Sequence, residues 1–115
     1  MNKFEFIDGI ISSFDLPFYC GMPELNRIPQ TFIIYDYYDM PMHAADNTLL
    51  ATKVNLTIHI VADRFDGGLV NRVKNGLMKK GFEYLGDGPG SLDDDLFRGK
   101  KIRILEFQID MEENL

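Results

Sequence analysis

The chain has 115 residues, of which 45% are hydrophobic and 26% are charged, and its formal net charge is −6. This length and composition predict one folded domain spanning residues 1–115 and exclude the disordered and collagen-like classes. The acidic balance opposes tight binding to phosphate backbones, and no apolar run approaches the roughly 20 residues of a membrane-spanning helix. The single cysteine, Cys20, cannot form an intrachain disulfide, and the first residues lack the pattern of a secretion signal, so we expect synthesis in the cytosol.

An amphipathic helix is predicted at the start of the chain. Asn2 and Glu5 have the spacing of a capping box, in which Asn2 accepts from a first-turn N–H and Glu5 reaches back toward the helix start. The helix must end before Pro17, because proline disfavours the α conformation in the residue that precedes it. Four apolar residues recur at helical spacing between these limits: Ile7, Ile10, Ile11 and Phe14.

Two strands are predicted in the middle of the chain. Residues 31–38 are rich in β-branched and aromatic side chains, and this strand should end at residues 39–41. Residues 53–60 alternate between apolar and polar side chains, as a half-buried strand does. A proline-containing connector precedes both strands. Within it, residues 18–20 are a candidate for a short edge strand.

A second helix and a hairpin are predicted in the C-terminal half. Asp66 is placed to cap the helix and Gly81 to end it. Residues 82–85 begin a strand, residues 86–90 should turn, and residues 96–97 with 101–109 return along it after a long acidic loop. The apolar stripe of the helix consists of Leu69, Val70, Val73 and Leu77.

Together these elements predict an α+β fold in the order α-β-β-α-β-β. The one-sided pattern of residues 53–60 favours a small antiparallel or mixed sheet, of about four strands, over a doubly wound parallel one. Both helices are expected to pack on one face of this sheet.

The last predicted strand is apolar on both sides. Ile102 and Ile104 share one parity along it, whereas Leu105, Phe107 and Ile109 share the other. Either a bulge changes the register, or both faces of the strand are covered. In the second case a partner would cover one face, which makes Leu105, Phe107 and Ile109 candidate contact residues.

Residues 37–43, interpreted as a loop, form a second candidate contact surface. Tyr37, Tyr38, Met40 and Met42 are residue types that favour protein interfaces. An equally good interpretation is that one or two of these side chains cover the core.

No catalytic, cofactor-binding or metal site is predicted. His43 and His59 have no cysteine or carboxylate at metal-ligand spacing, and each is expected to be solvated or hydrogen-bonded. A nucleophilic pair of Cys20 and His59 remains open, because such partners meet in space rather than in sequence. The glycines of residues 86–90 match no phosphate-binding fingerprint, and the aspartates at 93–95 lack the spacing of a calcium-binding loop.

The order of these features along the chain carries a family resemblance. The N-terminal helix precedes the segments 16–23 and 31–35, residues 45–47 lie ahead of the alternating strand 54–60, and the second helix ends at 77–82. In these features most of the chain resembles the small tail-completion proteins of long-tailed bacteriophages and prophages, the group that includes tail terminators and head–tail joining proteins. The resemblance implies a structural virion component of the tail, made in the cytoplasm of a bacterial host, and not an enzyme.

The resemblance also implies partners. Such proteins form rings that cap the tail tube or join it to the head, and several are monomers that assemble only on the growing particle. We therefore expect self-association into a ring, with a hexamer as one option, and contact with tail-tube or head-connector proteins. DNA would pass through an acidic lumen without specific binding, and either Asp93, Asp94 and Asp95 or residues 53–59 would line this lumen.

Two other functions remain open. The chain could be a different α+β binding or adaptor module, which a deep pocket over the face of Asn55, Thr57 and His59 would favour. It could also be a small hydrolase or toxin-like enzyme that uses His43 or His59 with nearby acids.

Overall fold

Five strands and two helices make up the fold in the computed structural model, which describes residues 2–24, 27–43, 49–92 and 97–112. The strands form one sheet in the order β1-β2-β3-β5-β4, in which β1 runs parallel to β2 and the other neighbours are antiparallel. The α+β class is confirmed, but the sheet has one strand more than predicted, because the segment left open does form a parallel edge strand. The elements are α1 (Lys3–Ser12), β1 (Phe18–Cys20), β2 (Thr31–His43), β3 (Leu49–Ala62), α2 (Gly67–Lys79), β4 (Glu83–Gly90) and β5 (Lys101–Glu112).

Both helices begin at the predicted capping residues. Asn2 Oδ1 accepts the backbone N–H of Glu5 at 2.7 Å, while the Glu5 carboxylate accepts from the Asn2 side-chain amide at 3.2 Å rather than from a backbone N–H. Asp66 Oδ1 accepts the N–H of Leu69 at 3.1 Å and caps α2. Gly81 follows α2 with a φ of 101°, a conformation that glycine adopts most easily. Within the described residues, no helix is long and apolar enough to cross a membrane.

The main core lies between the sheet and both helices, which cover the same face. We call this the inner face of the sheet. Because Ile33 of β2 lies opposite Ile60 of β3, and Tyr35 lies opposite Ile58, alternate residues of both strands point inward. The buried residues of this core are Ile7, Ile10, Ile11, Phe14, Ile33, Tyr35, Val54, Leu56, Ile58, Ile60, Leu69, Val70, Val73, Leu77, Phe82, Leu105 and Phe107.

The opposite, outer face carries a smaller cluster at one end, where Ile102 of β5 packs. β5 pairs with β3 in continuous register along its whole length, so no bulge changes its parity. The double-sided pattern of β5 therefore arises because the helices cover one face and the chain's own second cluster covers the end of the other. The register shifts instead in β4, between Tyr84 and Gly86. The buried residues of the second cluster are Phe32, Ile34, Val61 and Phe97.

Two segments predicted as a turn and a loop are strands. Residues 86–90 belong to β4 and pair with β5, because the neighbouring strand fixes a segment whose glycines have little strand preference of their own. A Cβ at Gly90 would lie 2.6 Å from Ile104 Cγ1, so the glycine allows a close approach of the two strands. Residues 37–43 continue β2, which pairs with β3 as far as His43. The predicted turn and loop were therefore wrong.

Candidate interaction surface

The end of the sheet that holds residues 37–43 presents exposed apolar side chains on its outer face. We call this end the arm and define it as residues 36–43, 49–57 and 106–112. Tyr38 is 59% exposed and Met40 is 46% exposed. Tyr37 has the opposite parity and packs, half-buried, against the main core, so it contributes to the core instead. The side chain of Met42 lies outside the described residues. Of the four predicted contact residues on this segment, Tyr38 and Met40 are therefore available to a partner.

Polar side chains of β3 share this outer face. Asn55, Thr57 and His59 lie on it as predicted, but all three are half-buried rather than fully solvated. Asn55 Nδ2 and His59 Nδ1 are buried and have no hydrogen-bond partner among the described residues. A buried polar atom without a partner costs about 1–3 kcal/mol. Both nitrogen atoms lie beneath the surface beside Tyr38, so a partner that binds this face does not reach them without side-chain rearrangement.

His59 is held in its neutral form. Burial lowers the pKa of His59, and this effect outweighs those of the neighbouring Ile34 backbone and of the Asp36 carboxylate, which both raise the pKa. A neutral imidazole offers one donor and one acceptor nitrogen, so it can bind either kind of partner group.

The free edge of β2 in the arm is protected against pairing with another strand. Gly21 N donates to Tyr35 O at 2.9 Å, so the backbone of Tyr35 faces β1 and that of every second residue after it faces the open edge. At the first such position, the N–H of Tyr37 donates to Asp36 Oδ1 at 3.0 Å. Pro41 occupies a later edge-facing position and has no N–H to donate. These features oppose edge-to-edge addition, so a partner of the arm would contact side chains on the outer face.

The contact surface predicted on the last strand is not exposed. Leu105 and Phe107 are 0% exposed and lie in the main core beneath the helices, and Ile109 packs half-buried against the same core. The apolar parity of these residues is explained by the chain's own helices. The expectation that a partner covers them is therefore corrected.

The structure does not bring Cys20 and His59 together. Cys20 lies opposite Tyr35 in the sheet and shares its inward parity, whereas His59 lies opposite Ile34 and points outward. The two side chains are on opposite faces, so they form no nucleophilic pair. The Tyr35 hydroxyl donates to Asp8 of α1 at 2.8 Å, and burial, reinforced by this bond, raises the pKa of Tyr35.

A positively charged hollow lies at the end of the sheet away from the arm. We call it the basic end; its volume is about 360 Å³, and Arg64, Phe65, Lys101 and Arg103 are among its lining residues. Phe65 is 63% exposed, and Arg103 Cζ lies 5.6 Å from the centre of its ring. Such an aromatic ring beside cationic side chains is a common element of protein interfaces.

The charges at the basic end are partly neutralised within the chain. Lys100 Nζ lies 2.6 Å from Asp63 Oδ1, and its hydrogen bond is the largest of the effects that lower the pKa of Asp63. Arg103 bonds Asp87, while its buried Nε has no partner among the described residues. A hydrogen bond from Tyr84 lowers the pKa of Asp87, and a hydrogen bond from Arg103 lowers it by a smaller amount.

Part of the basic end consists of residues that are close together in the sequence. Lys100, Lys101 and Arg103 stand out as a basic cluster in an acidic chain. Arg64 and Phe65 carry no such signal, because they lie more than thirty residues earlier and join the cluster through the pairing of Ala62 with Lys101. Pairing between distant strands is the step that sequence patterns do not specify.

The remaining expectations concern a ligand pocket, a metal site and the residues of an acidic lumen. A hollow of about 280 Å³ lies on the outer face beside Tyr38 and His59, and this volume is just below the range of about 300–1,000 Å³ for ligand pockets. Within the described ranges, no three His, Cys, Asp or Glu side chains are grouped so that they could hold a metal ion. Asp93, Asp94 and Asp95, proposed for a lumen, lie outside the described residues, as does the side chain of His43.

Comparison with known protein families gives no match, and comparison with curated proteins gives none either.

Proposed function

We propose that this chain is a structural component of a phage or prophage tail, a tail terminator or head–tail joining protein that assembles into a ring with copies of itself. The observation that carries the proposal is the outer face of the arm. Tyr38 and Met40 are exposed there. A protein partner that binds this face would remove both apolar side chains from water.

The strand edge supports a closed assembly rather than a fibre. A free edge that accepts further strands leads to open-ended association, and Pro41 together with the Asp36–Tyr37 hydrogen bond opposes this in β2. Contact through side chains of defined geometry permits ring closure instead. The family resemblance on residues 16–23, 31–35 and 54–60 supports the same conclusion.

The acidic net charge supports passage of DNA through such a ring. A net charge of −6 repels phosphate backbones, so DNA would slide through the lumen without specific binding. The corresponding expectation is that the protein retains no duplex DNA at physiological salt.

Protein content of purified particles tests the assignment to the tail. Mass spectrometry of tailed particles from a host that carries this gene should find the chain in a small, fixed number of copies per particle. Its absence from particles that contain the other tail proteins would contradict the proposal. Genes for a major tail protein or a head connector beside this gene would be the expected genomic context.

A further inference from the structure

The arm and the basic end carry opposite charges. Asp36, Glu106 and Asp110 are exposed on the arm, where Lys53 is half-buried. At the basic end, Arg64 and Lys101 are exposed. Unlike Lys100 and Arg103, neither forms a salt bridge with a described carboxylate. The molecule therefore has an acidic surface at one end and, at the other, a hollow whose lining has four cationic side chains and one carboxylate, that of Asp66.

The same two surfaces carry exposed apolar side chains. Tyr38 and Met40 lie on the outer face of the arm, while Phe65 lies at the rim of the basic end. Each surface thus combines charge with an apolar centre, the composition that specific interfaces use.

One copy of the chain cannot bring these surfaces together. β3 connects the two surfaces: Lys53 lies opposite Met40 and Asp110 of the arm, and Ala62 lies opposite Lys101 of the basic end. Nine residues of strand between Lys53 and Ala62 correspond to roughly 30 Å at about 3.3 Å per residue. Contact between them requires a second copy.

We infer that the basic end of one copy binds the outer face of the arm of the next copy. Arg64 and Lys101 pair with Glu106 and Asp110 of the neighbouring copy, and Phe65 packs beside Tyr38 and Met40. This inference rests on the proposed function, for which it names the contact between subunits. Because the two surfaces differ, the contact is head-to-tail, and repeating it with a fixed rotation closes a ring.

Charge reversal on each surface tests the contact. One variant combines Arg64→Glu with Lys101→Glu, and the other combines Glu106→Lys with Asp110→Lys; all four residues are exposed or at a strand end, so folding should tolerate the changes. A matched control, Lys79→Glu with Lys80→Glu, reverses two exposed lysines at the end of α2. Self-association is measured by sedimentation velocity over a concentration series, alone and with purified tail tubes.

Each reversed variant alone should associate at least about tenfold more weakly than the unchanged protein, because like charges then face each other. An equimolar mixture of the two variants should recover association, because each copy again meets a neighbour of opposite charge. The control should associate as the unchanged protein does, and raising the salt concentration should weaken association of the unchanged protein.

Two results would overturn the inference, and only the second would also contradict the proposed function. If the unchanged protein assembles but the reversed variants assemble equally well, or their mixture fails to recover, the contact is wrong and the proposed function stands. If the unchanged protein stays monomeric at every concentration and also with tail tubes, both the contact and the proposed function are wrong.

Discussion

A single histidine links the outer face to pH. Because burial lowers the pKa of His59 below its ordinary value of 6.5, the unfolded chain binds a proton at pH values where the folded chain does not. The stability associated with neutral His59 is therefore fully present above about pH 6.5 and decreases as the pH falls from there toward the lower pKa of the folded state.

The resulting prediction concerns the variant His59→Gln. Urea unfolding of the unchanged protein should show stability decreasing from pH 7.5 to pH 5.5, and the variant should show a smaller decrease, because glutamine does not titrate. The carboxylates with lowered pKa, Asp63 and Asp87, lose their contribution only below about pH 4, so they do not interfere in this window. Equal pH dependence of the two proteins would contradict the burial of the imidazole.

The same histidine separates the structural function from the enzymatic alternative. A hydrolase that used His59 would lose activity in any assay when the residue is replaced by alanine, whereas a tail component would keep function if assembly is preserved. Infectivity of particles carrying His59→Ala, with the His43→Ala change added, should therefore stay within about tenfold of the unchanged level. Complete loss of infectivity with assembly intact would favour chemistry at these residues.

At the scale of elements, α2 packs through a glycine against Phe14, which follows the end of α1. A Cβ at Gly76 of α2 would lie 2.6 Å from Cε1 of the buried Phe14, whereas a Cβ at Gly9 of α1 would have no atom within 4 Å. Gly76→Ala should therefore destabilise the protein by about 1–3 kcal/mol through overpacking, although alanine is the better helix former. Gly9→Ala, the matched control, should stabilise it by about 0.5–1 kcal/mol. Chemical denaturation measures both, and a stabilised Gly76→Ala protein would refute the close approach.

The protected edge of β2 gives a second prediction for an element. The double variant Asp36→Thr, Pro41→Thr exposes backbone donors at Tyr37 and at position 41, so it should form large aggregates at concentrations where the unchanged protein does not. Static light scattering measures the difference. The control, Pro23→Thr with Glu24→Thr, makes the same kinds of change outside any strand and should leave scattering unchanged. Aggregation of the control alone would show that the edge is not what limits association.

The sequence predicted those elements whose signals are local. The start and end of α2 follow from Asp66 and Gly81, and the alternation of residues 53–60 predicted β3 and its inward side chains. The strand at residues 86–90 was missed because its glycines depend on pairing with β5, which local patterns do not specify. The length of β2 was underestimated because Pro41 was interpreted as an end signal, although proline is compatible with an outward-facing edge position.

The candidate site was predicted less well than the fold. Tyr38 and Met40 were identified by residue type and do lie on the surface, but Leu105 and Phe107 have the same apolar character and are buried. Parity along one strand shows which side chains share a face, but it does not show what covers that face. The helices that cover this one come from distant parts of the chain.

At the scale of the whole molecule, assembly should depend on the outer face of the arm more than stability does. Tyr38→Ser with Met40→Ser should abolish ring formation and change the free energy of unfolding by less than about 1 kcal/mol, because both side chains are exposed. Met78→Ser, which alters a methionine on α2 that is 47% exposed, is the control and should assemble normally. Normal rings from the double variant would remove the arm from the interface.

Negative-stain electron microscopy of the concentrated protein, alone and mixed with purified tail tubes, tests ring formation directly. Rings with an open lumen are expected in at least one sample, and in the mixture these rings should lie at the ends of the tubes. Single subunits in both samples, with bare tube ends in the mixture, would contradict the proposed function.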